Sequence, residues 1–183
     1  MLEGKTVNLR VADKEDVDFL VECNNNINWW ISQFPHVDEQ ISKSELKYFD
    51  NPSNLTTLTE SKWFIVQKKD GTKIGLMNHR LILPPRWLEI SYGLTPNERG
   101  KGYGTEAVQL FVDYLYLSKN IARIQAIINV RNIASQRVVE KAGFQREGTI
   151  RKAFFFGDEL SDYYLYSILR EEWKEPKILT RTA

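Results

Sequence analysis

The sequence has almost no thiol or imidazole chemistry: it holds one cysteine, Cys23, and two histidines in 183 residues. A single cysteine excludes a disulfide framework and a cysteine-based metal cluster, so no metal is expected. There is no apolar run of membrane-spanning length, and the opening MLEGKTVNLR lacks the apolar stretch of a signal peptide. Neither a membrane partner nor export is expected, and the location implied is cytoplasmic. Charge of one sign is also missing. Lys and Arg number 25 against 24 Asp and Glu, a net charge of +1, which gives no bulk reason to expect nucleic-acid binding. Internal repeats and low-complexity linkers are absent too. What remains is an ordinary composition, 42% hydrophobic and 27% charged, suited to one domain over residues 1–183 with a real core.

The chain alternates strand and helix signals. A short strand is expected at Val7–Val11, after which Asp13 reads as an N-cap with Asp16 three residues on. Residues 27–48 carry aromatics without a clean period and suggest one or two helices. Lys62–Gln67 and Lys73–Ile82 read as strands around an Asp70-Gly71 turn, a good hairpin signal. Pro84 and Pro85 end the second, and Trp87–Leu94 reads as another. Four strands, antiparallel neighbours, are thus expected before the first strong glycine cluster. Beyond it, Ala107, Val108, Phe111, Val112 and Leu115 recur at helical spacing, with Glu106, Gln109 and Asp113 facing elsewhere. Ile124, Ala126, Ile128 and Val130 alternate as a half-buried strand. Asn132 reads as the N-cap of a short helix that Gly143 ends. Two last strands, about 144–156 and 160–169, flank a turn at Gly157–Glu159. The order predicts an α+β fold with a mixed, mostly antiparallel sheet flanked by helices.

The cluster itself is Arg99-Gly100-Lys101-Gly102-Tyr103-Gly104. A P-loop needs a Ser or Thr where Gly102 stands, and a dinucleotide fingerprint needs different glycine spacing in a parallel βαβ unit. Neither fits. A strand ending at Leu94, a glycine-rich turn with exposed amides and a helix starting near Thr105 together make an anion site suited to a pyrophosphate.

These residues resemble the (Q/R)-x-x-G-x-(G/A) motif of the GNAT superfamily of N-acetyltransferases. A second block, Asn132-Ile133-Ala134-Ser135 running on to Glu140-Lys141-Ala142-Gly143-Phe144, is similar to the N-x-x-S…E-K-x-G-F pattern of the ribosomal-protein (RimJ/RimL-like) branch. Leu9-Arg10, Asp16 and Glu172-Trp173 fit the same branch. The resemblance covers about residues 5–173 and is most specific from Glu89 to Phe144. It implies a single GNAT domain that uses acetyl-CoA as cosubstrate in a direct ternary complex. The pyrophosphate would then lie on Arg99, Gly100, Lys101, Gly102, Tyr103, Gly104 and Thr105. The amide of Leu94 or its neighbour, on a bulged strand, would polarise the thioester carbonyl. Asn132 would bond the pantetheine amides, and Arg137 is a candidate for a coenzyme phosphate. By the same resemblance Glu89 stands where several relatives carry a general base, and Ser135 matches a serine proposed to protonate the thiolate. Many relatives use a tyrosine for that step, yet Gln136, Arg137, Val138 and Val139 include none. Tyr92 is a possible substitute.

The acceptor is an amine. A lysine amine costs about 4.6 kcal/mol to neutralise at pH 7 and an α-amine only about 1.4, so a base matters less for the latter. The resemblance implies a protein N-terminal α-amino group. Alternatives are a small amine, such as a polyamine or an amine-bearing antibiotic, or a coenzyme A sensor without turnover. Trp29 and Trp30, with Phe34, fall in the segment that walls the acceptor groove in relatives, and core packing explains them equally. Asp162 matches an acidic position of the branch and is a candidate substrate contact, although a polar hairpin explains it too. His79 reads as a strand residue, either structural or facing the acceptor. The protein is expected to be a monomer or homodimer.

Overall fold

The computed structural model describes residues 1–25, 62–83, 87–156 and 159–178. They form strands β1 (Leu2–Glu3) and β2 (Val7–Val11), helix α1 (Val17–Asn25), and strands β3 (Lys62–Lys68), β4 (Lys73–Leu83) and β5 (Trp87–Leu94). Helix α2 (Tyr103–Ser118), strand β6 (Arg123–Asn129), helix α3 (Ile133–Ala142) and strands β7 (Gln145–Phe156) and β8 (Glu159–Leu169) follow. The helices expected within 27–48 lie outside the described residues, as do Trp29, Trp30 and Phe34.

The strands make one eight-stranded sheet in the order β1-β2-β3-β4-β5-β6-β8-β7. β1 to β5 are antiparallel neighbours, one strand more than the sequence suggested, because the two-residue β1 is too short to carry a pattern. β5 and β6 pair in parallel, since the chain crosses over through α2 between them. Alternation along the strands sorts the two faces. Val7, Leu9, Phe64, Val66, Met77, Leu88, Ile90 and Ile124 pack under α2, with Val139 and Ala142 of α3 on the same side. Ile65 and Leu76 point the other way, onto Leu20 and Cys23 of α1.

Local signals set the helix ends. The Asp13 carboxylate accepts from the Glu15 amide at 2.9 Å, and Asp16 Oδ2 accepts from the Asp13 amide at 2.9 Å, a reciprocal capping box ahead of α1. Asp16 is fully buried and also takes two bonds from Arg10, at 2.6 and 2.7 Å, and one from Lys73 at 2.6 Å. Burial would raise this carboxyl, but the Arg10 and Lys73 bonds outweigh it and hold the group well below the usual carboxylate range. At the other end of the chain, Asp113 is buried on α2 rather than facing solvent. Its Oδ1 accepts from Trp173 Nε1 at 2.9 Å and its Oδ2 from the Ile178 amide at 2.8 Å, so the C-terminal segment covers a position that the helical pattern assigned to the polar side.

β7 departs from its partner twice, at Arg146/Gly148 and at Ile150/Phe154. In the second bulge Lys152 has φ +49°, the one non-glycine residue in the left-handed region among those described, and its amide donates to Asp162 Oδ1 at 2.8 Å.

Candidate active site

The parallel pairing of β5 with β6 is short. It covers Trp87, Leu88 and Glu89 against Arg123, Ile124 and Gln125. Beyond this, β5 continues only along β4 as far as Leu94, and β6 only along β8 as far as Asn129. The two strands part, leaving a wedge-shaped gap in the sheet. No bulge accompanies the parting on β5; the register shift of this hairpin lies on β4 at Leu81/Leu83, away from Leu94.

The antiparallel ladder fixes which backbone groups face the gap. The Thr95 amide donates to Ile74 O at 2.9 Å, so Thr95–Ile74 is a bonded pair and Leu94–Gly75 is not. Bonded and unbonded pairs alternate, which turns the N–H and C=O of Leu94 and Tyr92 away from β4 and toward the gap. The Leu94 carbonyl is taken by Arg99 Nε at 3.0 Å. That bond folds the turn between β5 and α2 back on the strand end and leaves the Leu94 N–H aimed into the opening.

That turn is the glycine cluster. Gly100 has φ +77° and Gly102 has φ +88°, and an added Cβ at either would meet open space, so glycine is needed there for the backbone conformation rather than for room. Gly102 caps α2 without any side-chain bond, and the helix begins at Tyr103, two residues earlier than expected. The amides of Tyr103, Gly104 and Thr105 therefore lack intrahelical acceptors and sit at the positive end of a 16-residue helix. Glu98 beside them is neutralised by Lys101 at 2.9 Å and Lys68 at 3.4 Å. A pyrophosphate fits this cradle of amides and cations.

Across the gap stands the start of α3. Asn132 Oδ1 accepts from the Ser135 amide at 3.1 Å, the expected N-cap, and Gln136 Nε2 holds the preceding turn through Val130 O at 2.9 Å. Gly143 ends α3 at φ +106°. Ser135 Oγ lies 2.6 Å from the Tyr92 hydroxyl, which also reaches Ser135 O at 3.1 Å. Two candidates named separately from the sequence thus meet. Burial pushes the Tyr92 phenol up, and the Ser135 bond offsets part of the rise. Arg137, two residues on, is exposed.

Glu89 sits where β5 and β6 part, on the face opposite α2, and it is buried. Its Oε1 accepts from Arg80 Nε at 2.9 Å and Arg80 Nη2 at 2.5 Å, and its Oε2 accepts from Gln125 Nε2 at 3.0 Å. The chain of bonds runs on: Arg123 Nε donates to Gln125 Oε1 at 3.2 Å, and the Arg123 guanidinium grips both oxygens of Glu147 at 2.5 Å. Sequence reasoning missed Arg80, Gln125, Arg123 and Glu147. Arg80 was within reach, because antiparallel pairing of the two strands expected on either side of Pro84 and Pro85 places it opposite Glu89, the register observed.

Of the other candidates, His79 and Cys23 are buried in the core, whereas Asp162 stands beside the end of β6, its carbonyl accepting from the Val130 amide at 3.2 Å. His79 is buried under α2 among the rings of Phe64 and Phe111, with centroids at 6.3 and 5.8 Å, a packing position. Asp162 spends Oδ1 on the Lys152 amide. Cys23 is buried and its thiol is pushed up to about 12, by burial first and by Glu22 second, so it has no thiolate to offer as an acyl carrier near neutrality.

An acetyltransferase (GNAT) domain model matches residues 6–145. The chain belongs to the GNAT acetyltransferases. As a member it is an acetyl-CoA-dependent N-acetyltransferase with the GNAT fold. An uncharacterized N-acetyltransferase of Bacillus subtilis, YnaD, is 42% identical over 85 residues, 46% of this chain and half the length of that relative. Among solved structures, a spermidine N-acetyltransferase from Vibrio cholerae in complex with coenzyme A and spermine superposes with a TM-score of 0.79 at 24% identity, over 92% of this GNAT chain and 98% of that one. The ribosomal L7/L12 α-N-protein acetyltransferase RimL, in complex with coenzyme A, gives 0.78 at 21%, over 92% and 96%. At such identity the likeness is one of fold, and proteins of that fold acetylate both small amines and protein N-termini.

Proposed function

We propose that this GNAT enzyme acetylates protein N-terminal α-amino groups by direct attack on acetyl-CoA. The observation that favours this acceptor class is that Glu89, the acidic side chain where β5 and β6 part among the described residues, is already matched by Arg80. A polyamine brings further ammonium groups that need uncompensated carboxylates, whereas an N-terminus brings one amine and an otherwise neutral backbone. An α-amine also costs only about 1.4 kcal/mol to deprotonate at pH 7, which asks little of a Glu89 whose oxygens are already engaged. In this reading Glu89 orders the water that accepts the amine proton.

The pyrophosphate lies on Gly102, Tyr103, Gly104 and Thr105, with Arg99 and Lys101 beside them, and the pantetheine enters the gap against Asn132. The Leu94 N–H donates to the thioester carbonyl, where negative charge grows during attack. Arg137, exposed on α3, remains the candidate for a coenzyme phosphate. The coenzyme supplies an activated acetyl group, and the chain's residues orient it.

The small-amine reading has support from the spermidine N-acetyltransferase likeness. Competition decides between them: equal concentrations of spermidine and a peptide with a free N-terminus, acetyl-CoA, and mass analysis of both products. The peptide should gain the acetyl group first, with kcat/KM at least about tenfold higher, equivalent to 1.4 kcal/mol in transition-state binding. Preferential acetylation of spermidine overturns the α-amino reading.

A further inference from the structure

We propose that Tyr92 is a positioning residue that aims the Ser135 hydroxyl at the departing coenzyme A sulfur, so that the pair stabilises the thiolate by hydrogen bonding rather than by protonating it. This rests on the acetyl-CoA reading of the gap.

The Tyr92 phenol carries one proton and meets two oxygens of Ser135. Tyr92 Oη is 3.1 Å from Ser135 O and 2.6 Å from Ser135 Oγ. Only the phenol can donate to the carbonyl, whereas in the hydroxyl pair either oxygen can be the donor. When the phenol donates to the carbonyl, the serine proton is spent on Tyr92. When it donates to Ser135 Oγ instead, the serine proton is released to point elsewhere. An anion arriving within reach selects the second arrangement, so the pair is a donor that turns outward on demand.

Placement makes the sulfur the anion in question. Tyr92 lies two residues before Leu94 on the strand that borders the gap, and its side chain spans to the third residue of α3. The Ser135 amide is fixed by Asn132 at 3.1 Å, so the hydroxyl starts from a held backbone. The group leaving the carbonyl that faces Leu94 N–H departs in the neighbourhood of this pair.

Proton transfer is the wrong description on energetic grounds. A thiol with a pKa of about 8.5 is a stronger acid than a phenol of about 10, and an alcohol is weaker still. Moving a proton from either hydroxyl to the thiolate runs uphill. The buried phenol, raised further, stays protonated and remains a donor throughout the working range. The step balances without it. The amine lone pair forms the C–N bond, the C–S electron pair leaves on sulfur, the surplus nitrogen proton passes to water, and the thiolate takes a proton from solvent after release.

The test reads the thiol of bound coenzyme A by its thiolate absorbance as pH is raised, with thermal unfolding as a check on folding. In the wild type the bound thiol should titrate about one unit below free coenzyme A, tightening binding about sixfold from pH 7 to pH 9. Tyr92→Phe keeps the ring and Ser135→Ala removes the donor. Each should return the titration toward that of free coenzyme A and lower kcat by roughly 10- to 100-fold, with KM for acetyl-CoA little changed. The double variant should be no worse than Ser135→Ala, since the two act as one unit. Ser135→Thr should restore most of the shift. A wild-type titration in Tyr92→Phe, or multiplicative losses in the double variant, would overturn the relay. If Tyr92→Phe does not fold, a wild-type affinity for coenzyme A that is flat with pH overturns it equally. Failure of the wild type to bind coenzyme A at all would instead sink the reading on which the relay depends.

Discussion

Asp16 shows how much one side chain carries. Its carboxylate closes the cap before α1 and binds Arg10 on β2 and Lys73 on β4, tying three segments through a fully buried group. Asp16→Ala strands two cations that are only about a quarter to a third exposed, and it should cost about 2–3 kcal/mol by denaturant unfolding. The sign of the pH effect follows from the depressed folded-state carboxyl. The stability it contributes is present above the ordinary aspartate value of 3.8 and is lost as pH falls through the lower folded value. Wild-type unfolding temperature should therefore decline below about pH 4 more steeply than that of Asp16→Asn; parallel acid profiles would contradict this. Glu89 makes the opposite kind of prediction. If it orders water for an α-amine, Glu89→Gln should lower kcat/KM for a peptide acceptor by about tenfold, short of the 10²–10⁴ that a full general base contributes. A loss beyond 10³ would make it the base itself. The caps at Asp13, Asn132 and Gly143 were legible because each acts within three residues of itself. The Arg80 bond to Glu89 was not read, because it depends on strand register, and Asp113 was misassigned because its partners lie some sixty residues away.

Among elements, the β5–α2 junction and the β7–β8 hairpin are the informative ones. Both glycines of the turn hold φ values that cost an L-residue roughly 1–2 kcal/mol, and their added side chains would project into open space. Gly102→Val should accordingly weaken acetyl-CoA binding by at least tenfold in calorimetry while unfolding temperature drops by only a few degrees. Unchanged affinity would mean that the turn is not the anion cradle. In the hairpin, Asp162 pins the bulged Lys152 amide, which ranks it as a structural residue. Asp162→Ala should cost about 1 kcal/mol and speed amide exchange at 151–153, with kcat for the peptide acceptor unchanged. A large kcat loss with native exchange would return Asp162 to the substrate site. The sequence pattern found these strands to within a residue or two, since β5 was expected at Trp87–Leu94 and is there. It could not reveal that β5 leaves β6 after Glu89, because parting strands keep the same alternation as paired ones.

The described residues form a sheet that opens between β5 and β6, with α2 and α3 on one face and α1 on the other. The opening matters because it brings together an amide on β5, a phenol two residues before it, and the starts of two helices. The resemblance to the GNAT motifs named the members of this group, and the fold brings Tyr92 and Ser135 together. The glycine turn and the gap together are proposed as the acetyl-CoA site. Thermal unfolding of the wild type with acetyl-CoA, ATP and NAD in parallel, each at saturating concentration, tests it most directly. Acetyl-CoA at 100 times its dissociation constant should stabilise by about 2.7 kcal/mol, a rise of roughly 5–10 °C, with no comparable shift from the other two. A shift with ATP or NAD and none with acetyl-CoA would contradict the account.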